Sequence, residues 1–207
     1  MISNQKGGGQ QPQRRGSSSH THRSRRPRHH DRRHAPPARF LESGNSKKIE
    51  DVIPPLSPES IRIIPLGGVE EIGRNMTAIE DSNDIVVVDC GFQFKEPETP
   101  GIDYILPNTK YLEDRKEKIR AVVITHGHLD HIGGIPYLFE RMGNPPNYSR
   151  RLTTLMIKKR QEEFPHAPPL DIRVIEKDET VAVGKNMKLK FFEVTHTIPD
   201  SMGVIIQ

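Results

Sequence analysis

The sequence predicts an α/β (α+β) chain of short strands and helices entered from a disordered N-terminal tail. Three observations lead there. The first 45 residues are Gly, Gln, Ser, Arg, His and Pro, with almost nothing apolar to bury. From Ile61 onward, short aliphatic runs of strand length recur between turn-rich stretches. Among those runs fall two segments with helical apolar spacing, Ile132-Ile135-Leu138-Phe139 and Leu152-Leu155-Met156-Lys159.

The tail is distinct in charge as well as texture. Residues 1–39 carry Lys6 and nine arginines against the single acid Asp31, a net +9, while the remainder holds 21 basic and 26 acidic residues, a net −5. The overall +4 therefore belongs to the tail. A segment that buries no apolar surface cannot offset its ordering entropy, so residues 1–45 are expected to be disordered. The dense cationic run Arg23–Arg33 suits an arm that holds RNA by phosphate contacts without reading sequence, or a solubilising extension. Five of the ten histidines (His20, His22, His29, His30, His34) lie in this tail without a rigid frame and are not counted as ligands. Residues 46–60, with Pro54, Pro55 and Pro58, read as a linker, and residues 61–207 as the folded domain. Cys90 is the only cysteine, so no intramolecular disulfide forms and a reducing, cytoplasmic setting is expected. No apolar run approaches the ~18 residues of a spanning helix, and the N-terminus lacks the apolar core of a secretory signal.

In chain order, Ile61–Leu66 reads as a first strand, followed by the turn Gly67-Gly68. Met76–Glu80 and Ile85–Val88 give two more, joined by Asp81-Ser82-Asn83-Asp84. Asp89 stands at the end of the third strand. There its carboxylate either orients a neighbouring ligand by hydrogen bonding or caps a turn. Cys90 reads as a small packed hydrophobe. Residues 92–119, with Pro97, Pro100, Gly101 and Pro107, read as a long connection.

The run Ala121-Val122-Val123-Ile124 is a short buried strand, and the segment after Ile124 carries the chemistry. Three histidines and one aspartate fall in the spacing His126-x-His128-x-Asp130-His131, on a loop where side chains can converge. Imidazole nitrogen and carboxylate oxygen suit zinc, with manganese and iron as competitors. His126 and His128 can face one ion while Asp130 and His131 turn toward a second. Two ions about 3.5–4 Å apart can activate a water and hold the oxygens of a phosphate or acyl group. Gly133-Gly134 then turns into a helix ending near Met142-Gly143, and Asn144-Pro145-Pro146 breaks the chain. The next helix runs to about Glu163 with a basic face. Strands come next at 172–175, 179–183 and 188–194, the last delivering Thr195-His196-Thr197-Ile198-Pro199-Asp200-Ser201. His196 thus repeats the placement of His126 at a strand tip, and the first ion needs a third donor. His166 has no such context.

The His-x-His-x-Asp-His motif after a buried strand resembles the core of the metallo-β-lactamase fold. Other stretches resemble the ribonuclease J family, of its β-CASP branch. They are Ile63–Gly68 with Glu71-Ile72-Gly73 and Asn75, Asp89-Cys90-Gly91, Pro100-Gly101-Ile102-Asp103, Thr125–Gly134, Gly143-Asn144-Pro145-Pro146 and Thr195–Ser201. The resemblance covers residues 61–207 and implies an αββα sandwich, incomplete at the C-terminus. It makes His126, His128 and His196 ligands of one metal, Asp130 and His131 ligands of the other, and Asp89 the supporting carboxylate. It further implies two divalent ions, zinc or manganese, and hydrolysis of RNA both from 5′-monophosphate ends and internally. Asp130 also orients or deprotonates the attacking water in this reading.

The family's bridging aspartate, last metal histidine and β-CASP insert lie beyond Gln207. The chain is therefore expected to be the front part of a longer enzyme that forms dimers or tetramers, and to be inactive or nearly so alone. No membrane association is implied. Two alternatives stand beside the nuclease: a small-molecule metallo-hydrolase of the same fold, and a non-catalytic RNA-binding fragment led by the basic tail.

Overall fold

The computed structural model describes residues 53–95 and 100–207. The expectations for the tail, and for the linker up to residue 52, lie outside the described residues.

The central strands β3 (Ile85–Val88) and β6 (Ile119–Val123) form where aliphatic runs are buried on both sides. β1 (Arg62–Gly67), β2 (Met76–Glu80) and β3 (Ile85–Val88) pair antiparallel as a meander. β6 (Ile119–Val123) then lies parallel to β3, and β7 (Asn147–Ser149) and β8 (Ile172–Val174) continue the parallel half. The order β1-β2-β3-β6-β7-β8 makes one six-stranded sheet. β9 (Thr180–Val183), β10 (Met187–Glu193) and β11 (Met202–Ile206) make a second, antiparallel sheet in the order β11-β10-β9. β4 (Gln93–Phe94) and β5 (Tyr104–Ile105) form a small separate ladder.

Alternation along the strands assigns each side chain to one of two cores. Val87, Val122 and Ile124 face a core with Ile132, Ile135, Leu138, Phe139 and Ile157 from the helices. Val86, Ala121 and Val123 face the other, against Leu189, Phe191 and Met202 of the second sheet. The first sheet is therefore sandwiched between a helical layer and the second sheet. The helices are α1 (Lys110–Glu113), α2 (Leu129–Ile132), α3 (Ile135–Leu138) and α4 (Arg151–Gln161). Among the described residues no helix is long and apolar enough to cross a membrane.

Several elements differ from the sequence expectation. The connection 92–119 holds β4, β5, α1 and a 3₁₀ turn at Lys116–Lys118. The helix expected after Gly134 is the one-turn α3, which ends at Leu138, and a further one-turn helix, α2, begins inside the histidine motif, so Asp130 and His131 are helical rather than on a loop. β7 starts directly after Pro145-Pro146. Ile61 and Ile63, 66% and 68% exposed, border an open apolar groove with Ile79, Val204 and Ile206 along the β1 and β11 edges.

Candidate metal centre

The site is built at the tips of parallel strands. β3 and β6 run in register, Val88 beside Val123, so Asp89 and the loop after Ile124 emerge side by side. The Asp89 amide donates to the Val123 carbonyl at 2.8 Å, carrying the ladder one residue further. Asp89 has φ 63°, a left-handed conformation that aspartate tolerates better than most residues.

That turn aims a buried carboxylate into the histidine motif. Asp89 Oδ1 accepts the Thr125 amide at 2.8 Å, and Oδ2 accepts His131 Nδ1–H at 2.8 Å. The Thr125 hydroxyl lies 3.0 Å from both carboxylate oxygens and 3.0 Å from His126 Nδ1. One donor sequence satisfies all of these: Thr125 O–H donates to Asp89, and His126 Nδ1–H donates to Thr125 Oγ1. Both His126 and His131 then carry their proton on Nδ1 and leave Nε2 as an acceptor. His126 Nε2 is buried and has no hydrogen-bond partner. A buried polar nitrogen left unpaired is costly unless something else takes its lone pair.

The second sheet supplies the third imidazole. β10 ends at Glu193 and β11 begins at Met202, whose amide donates to the Thr125 carbonyl at 3.0 Å and so ties the two strand ends together. Within the intervening loop, the Val194 amide donates to Ser201 O at 3.2 Å and Ser201 Oγ to Ile198 O at 2.9 Å. Asp200 (φ 67°) reaches the start of α4, accepting the Leu152 amide at 2.8 Å and Arg150 Nε at 3.1 Å. His196 is thereby held 4.5 Å from His126 and 5.2 Å from His128, ring centroid to centroid. One ligand atom from each of His126, His128 and His196 falls within 4.8 Å of the others.

The other two predicted ligands pair beside this trio. His131 Nε2 lies 3.3 Å from Asp130 Oδ2, and its ring centroid lies 3.9 Å from that of His126. Asn75 braces them: its side-chain nitrogen is 3.1 Å from both Asp130 O and Asp130 Oδ2, and 3.2 Å from His131 Nε2. Gly91 lets this happen, because a Cβ there would stand 1.6 Å from the Asp130 carbonyl oxygen.

Electrostatics favour a neutral imidazole at His126. Burial pushes the His126 pKa down to about 4, helped by His131, His196 and His128. For His131 burial also opposes charge, yet the hydrogen bond to Asp89 and that carboxylate's charge outweigh it and raise the pKa. Three imidazoles with an open lone pair among them match a divalent borderline ion such as zinc.

All six predicted site residues (Asp89, His126, His128, Asp130, His131, His196) thus lie at the tips of β3, β6 and β10. The sequence reading assigned no role to Thr125, Asn75, Arg150 or Asp200. Asn75 and Asp200 did stand within stretches that carry the family resemblance, but their partners are 55 and 48–50 residues away.

Residues 69–206 match the family profile of the metallo-beta-lactamase superfamily. Ribonuclease J of Thermus thermophilus is 40% identical over 154 residues, which are 72% of this chain and 27% of that protein. Ribonuclease J of Mycoplasma pneumoniae is 39% identical over 146 residues, 70% of this chain and 26% of that protein. The chain spans about a quarter of the length of these curated relatives. Among solved structures, a protein of unknown function from Enterococcus faecalis V583 superposes with a TM-score of 0.53 at 16% identity, covering 70% of this chain and 40% of that one.

Proposed function

Because the chain belongs to the metallo-beta-lactamase superfamily, we propose that its strand-tip cluster is the hydrolytic metal centre of a ribonuclease of the ribonuclease J type. The observation that carries this reading is the convergence of His126, His128 and His196 from two separate sheets, with His126 Nε2 buried and unpaired. The RNA substrate rests on the likeness to proteins named ribonuclease J at about 40% identity.

In this reading His126, His128 and His196 hold one divalent ion, and Asp130 and His131 contribute to a second. When bound, such ions supply Lewis acidity toward a phosphate oxygen and make water a nucleophile at neutral pH. Zinc fits the imidazole donors, and manganese is the competitor. Asp89 fixes the tautomer and aim of His131, and through Thr125 those of His126. Asp130, its Oδ2 steadied by Asn75, orients the attacking water or takes its proton. The substrate is RNA with a 5′-monophosphate end, cut 5′→3′ and internally, in cytoplasmic RNA processing and decay. The enzyme at its relatives' length works as a homodimer or tetramer. The arginine-rich tail supports the RNA reading through phosphate contacts.

The test is made at two levels. Metal analysis of this chain should find zinc or manganese retained after gel filtration and lost in His126→Ala. With a polypeptide of the relatives' length, 5′-monophosphorylated RNA should be degraded, and EDTA or Asp130→Ala should stop it. A metal-loaded protein of the relatives' length that leaves such RNA intact would overturn the assignment.

A further inference from the structure

An open cavity of about 390 Å³ adjoins the metal centre, lined by Ile72, Gly73, Gln93, Phe94, Lys95 and Asp130. Its composition is odd for a surface so close to a reactive carboxylate. Ile72 is 91% exposed and Phe94 57% exposed, although each has apolar surface worth burying. Phe94 is not loose. Its ring meets the buried Phe92 edge-on, with centroids 4.9 Å apart at 83°. Phe92 leans on Tyr104 at 5.8 Å, and Tyr104 on Tyr137 at 4.7 Å. The β4–β5 ladder fixes the same segment through the pair Phe94 and Tyr104. Gly73 (φ +116°) brings the Ile72 loop against Gln93, where a Cβ would stand 2.7 Å from the Gln93 Cβ. Two apolar side chains are therefore held in water on one side of the cavity, with Asp130 on its wall and the exposed Lys95 ammonium at its rim.

We infer that this cavity is a nucleobase subsite, in which a base next to the scissile phosphate stacks on Phe94 and is flanked by Ile72. The inference rests on the ribonuclease reading and deepens it. A phosphate at the metal centre places its neighbouring nucleoside beside Asp130. The ligand that suits an exposed, rigidly backed aromatic ring is one with a flat π-face, and bases stack on such rings with little regard to sequence. Lys95 complements the adjoining phosphodiester. The subsite therefore sorts nucleic acid from other phosphodiesters and discriminates weakly among the four bases.

The chain has no tryptophan, so Phe94→Trp installs the chain's single indole, excited selectively at the red edge beyond tyrosine absorption, at a position exposed enough to accept it. The ligand is a labelled four-nucleotide RNA with a cleavage-resistant phosphorothioate backbone, added to the zinc-loaded chain, and label anisotropy reports total binding. The indole of Phe94→Trp should be quenched saturably by this RNA and left unchanged by an abasic phosphodiester of the same length. The indole of Ile205→Trp, on the outer side of the second sheet, should be left unchanged by both. Phe94→Ala should weaken binding of the RNA about tenfold, as for loss of one stacked base, and leave binding of the abasic ligand unaltered. RNA that binds by anisotropy without quenching in Phe94→Trp would overturn the subsite and leave the ribonuclease reading standing. Absence of RNA binding by anisotropy would overturn the subsite, and the ribonuclease reading falls only to the degradation test given above.

Discussion

At the scale of residues, the site depends on one carboxylate more than on any single imidazole. Asp89 accepts hydrogen bonds from the Thr125 amide, the Thr125 hydroxyl and His131, so it sets two tautomers at once. Asp89→Asn keeps the shape but replaces an acceptor oxygen with a donor facing other donors. Its divalent-ion affinity should fall about 10- to 100-fold, as for other groups that orient metal ligands. Competition against a chelating dye measures this, and affinity within twofold of the parent would contradict the assigned role. The histidine motif was legible because its spacing alone marks it. Asn75 and Asp200 were not, because their partners come near only once the sheets have formed. A second buried carboxylate is structural. Asp84 is fully buried and accepts Arg120 Nε and the Lys185 amide, both at 2.5 Å. Burial alone would raise its pKa, but those donors win and hold it below the ordinary 3.8. Stability from a lowered carboxylate pKa is present above pH 3.8 and lost as the pH falls through the folded value. Asp84→Asn should cost on the order of 3 kcal/mol near neutral pH. In urea titrations its difference from the parent should shrink below pH 3.8, and a constant difference would refute the ion pair.

At the scale of elements, α4 shows how a helix is completed from elsewhere in the chain. Its N-cap residue, Arg150, makes no capping hydrogen bond, and the Leu152 amide is satisfied by Asp200 instead. A carboxylate there also opposes the positive end of the helix. Asp200→Ala should cost about 1–2 kcal/mol and speed amide exchange at Leu152. Because Asp200 lies in the His196 loop, divalent-ion affinity should weaken with it. Unchanged affinity would mean that Met202 and Thr125 hold the loop alone. β3 and β6 were readable because burial on both faces leaves continuous aliphatic runs, as in Ile85–Val88 and Ala121–Ile124, and β10 because buried Met187, Leu189 and Phe191 alternate with exposed residues. β4, β5 and β7 were not. They are two or three residues long, and their pairing is decided by a neighbouring strand rather than by local pattern. The helix expected after Gly134 is the single turn α3, and it does not run on from α2 because the Gly134 amide donates to Cys90 O while Asp130 O is taken by the Asn75 amide.

At the scale of the whole molecule, two cores share one sheet, and the candidate metal centre sits where the two sheets meet. Leu189 and Phe191 hold the second sheet against Val86, Ala121 and Val123, and that contact carries His196 toward His126. Leu189→Ala should therefore cost about 2–5 kcal/mol and lower ion affinity together. Ile63→Ser, at a position 68% exposed, should change neither. The most direct measurement of the central claim is anomalous diffraction at the zinc edge from crystals of the zinc-loaded chain. A peak is predicted at roughly 2.0–2.1 Å from one nitrogen of each of His126, His128 and His196. Zinc bound only to the histidines of residues 20–34, with no peak among those three rings, would contradict it.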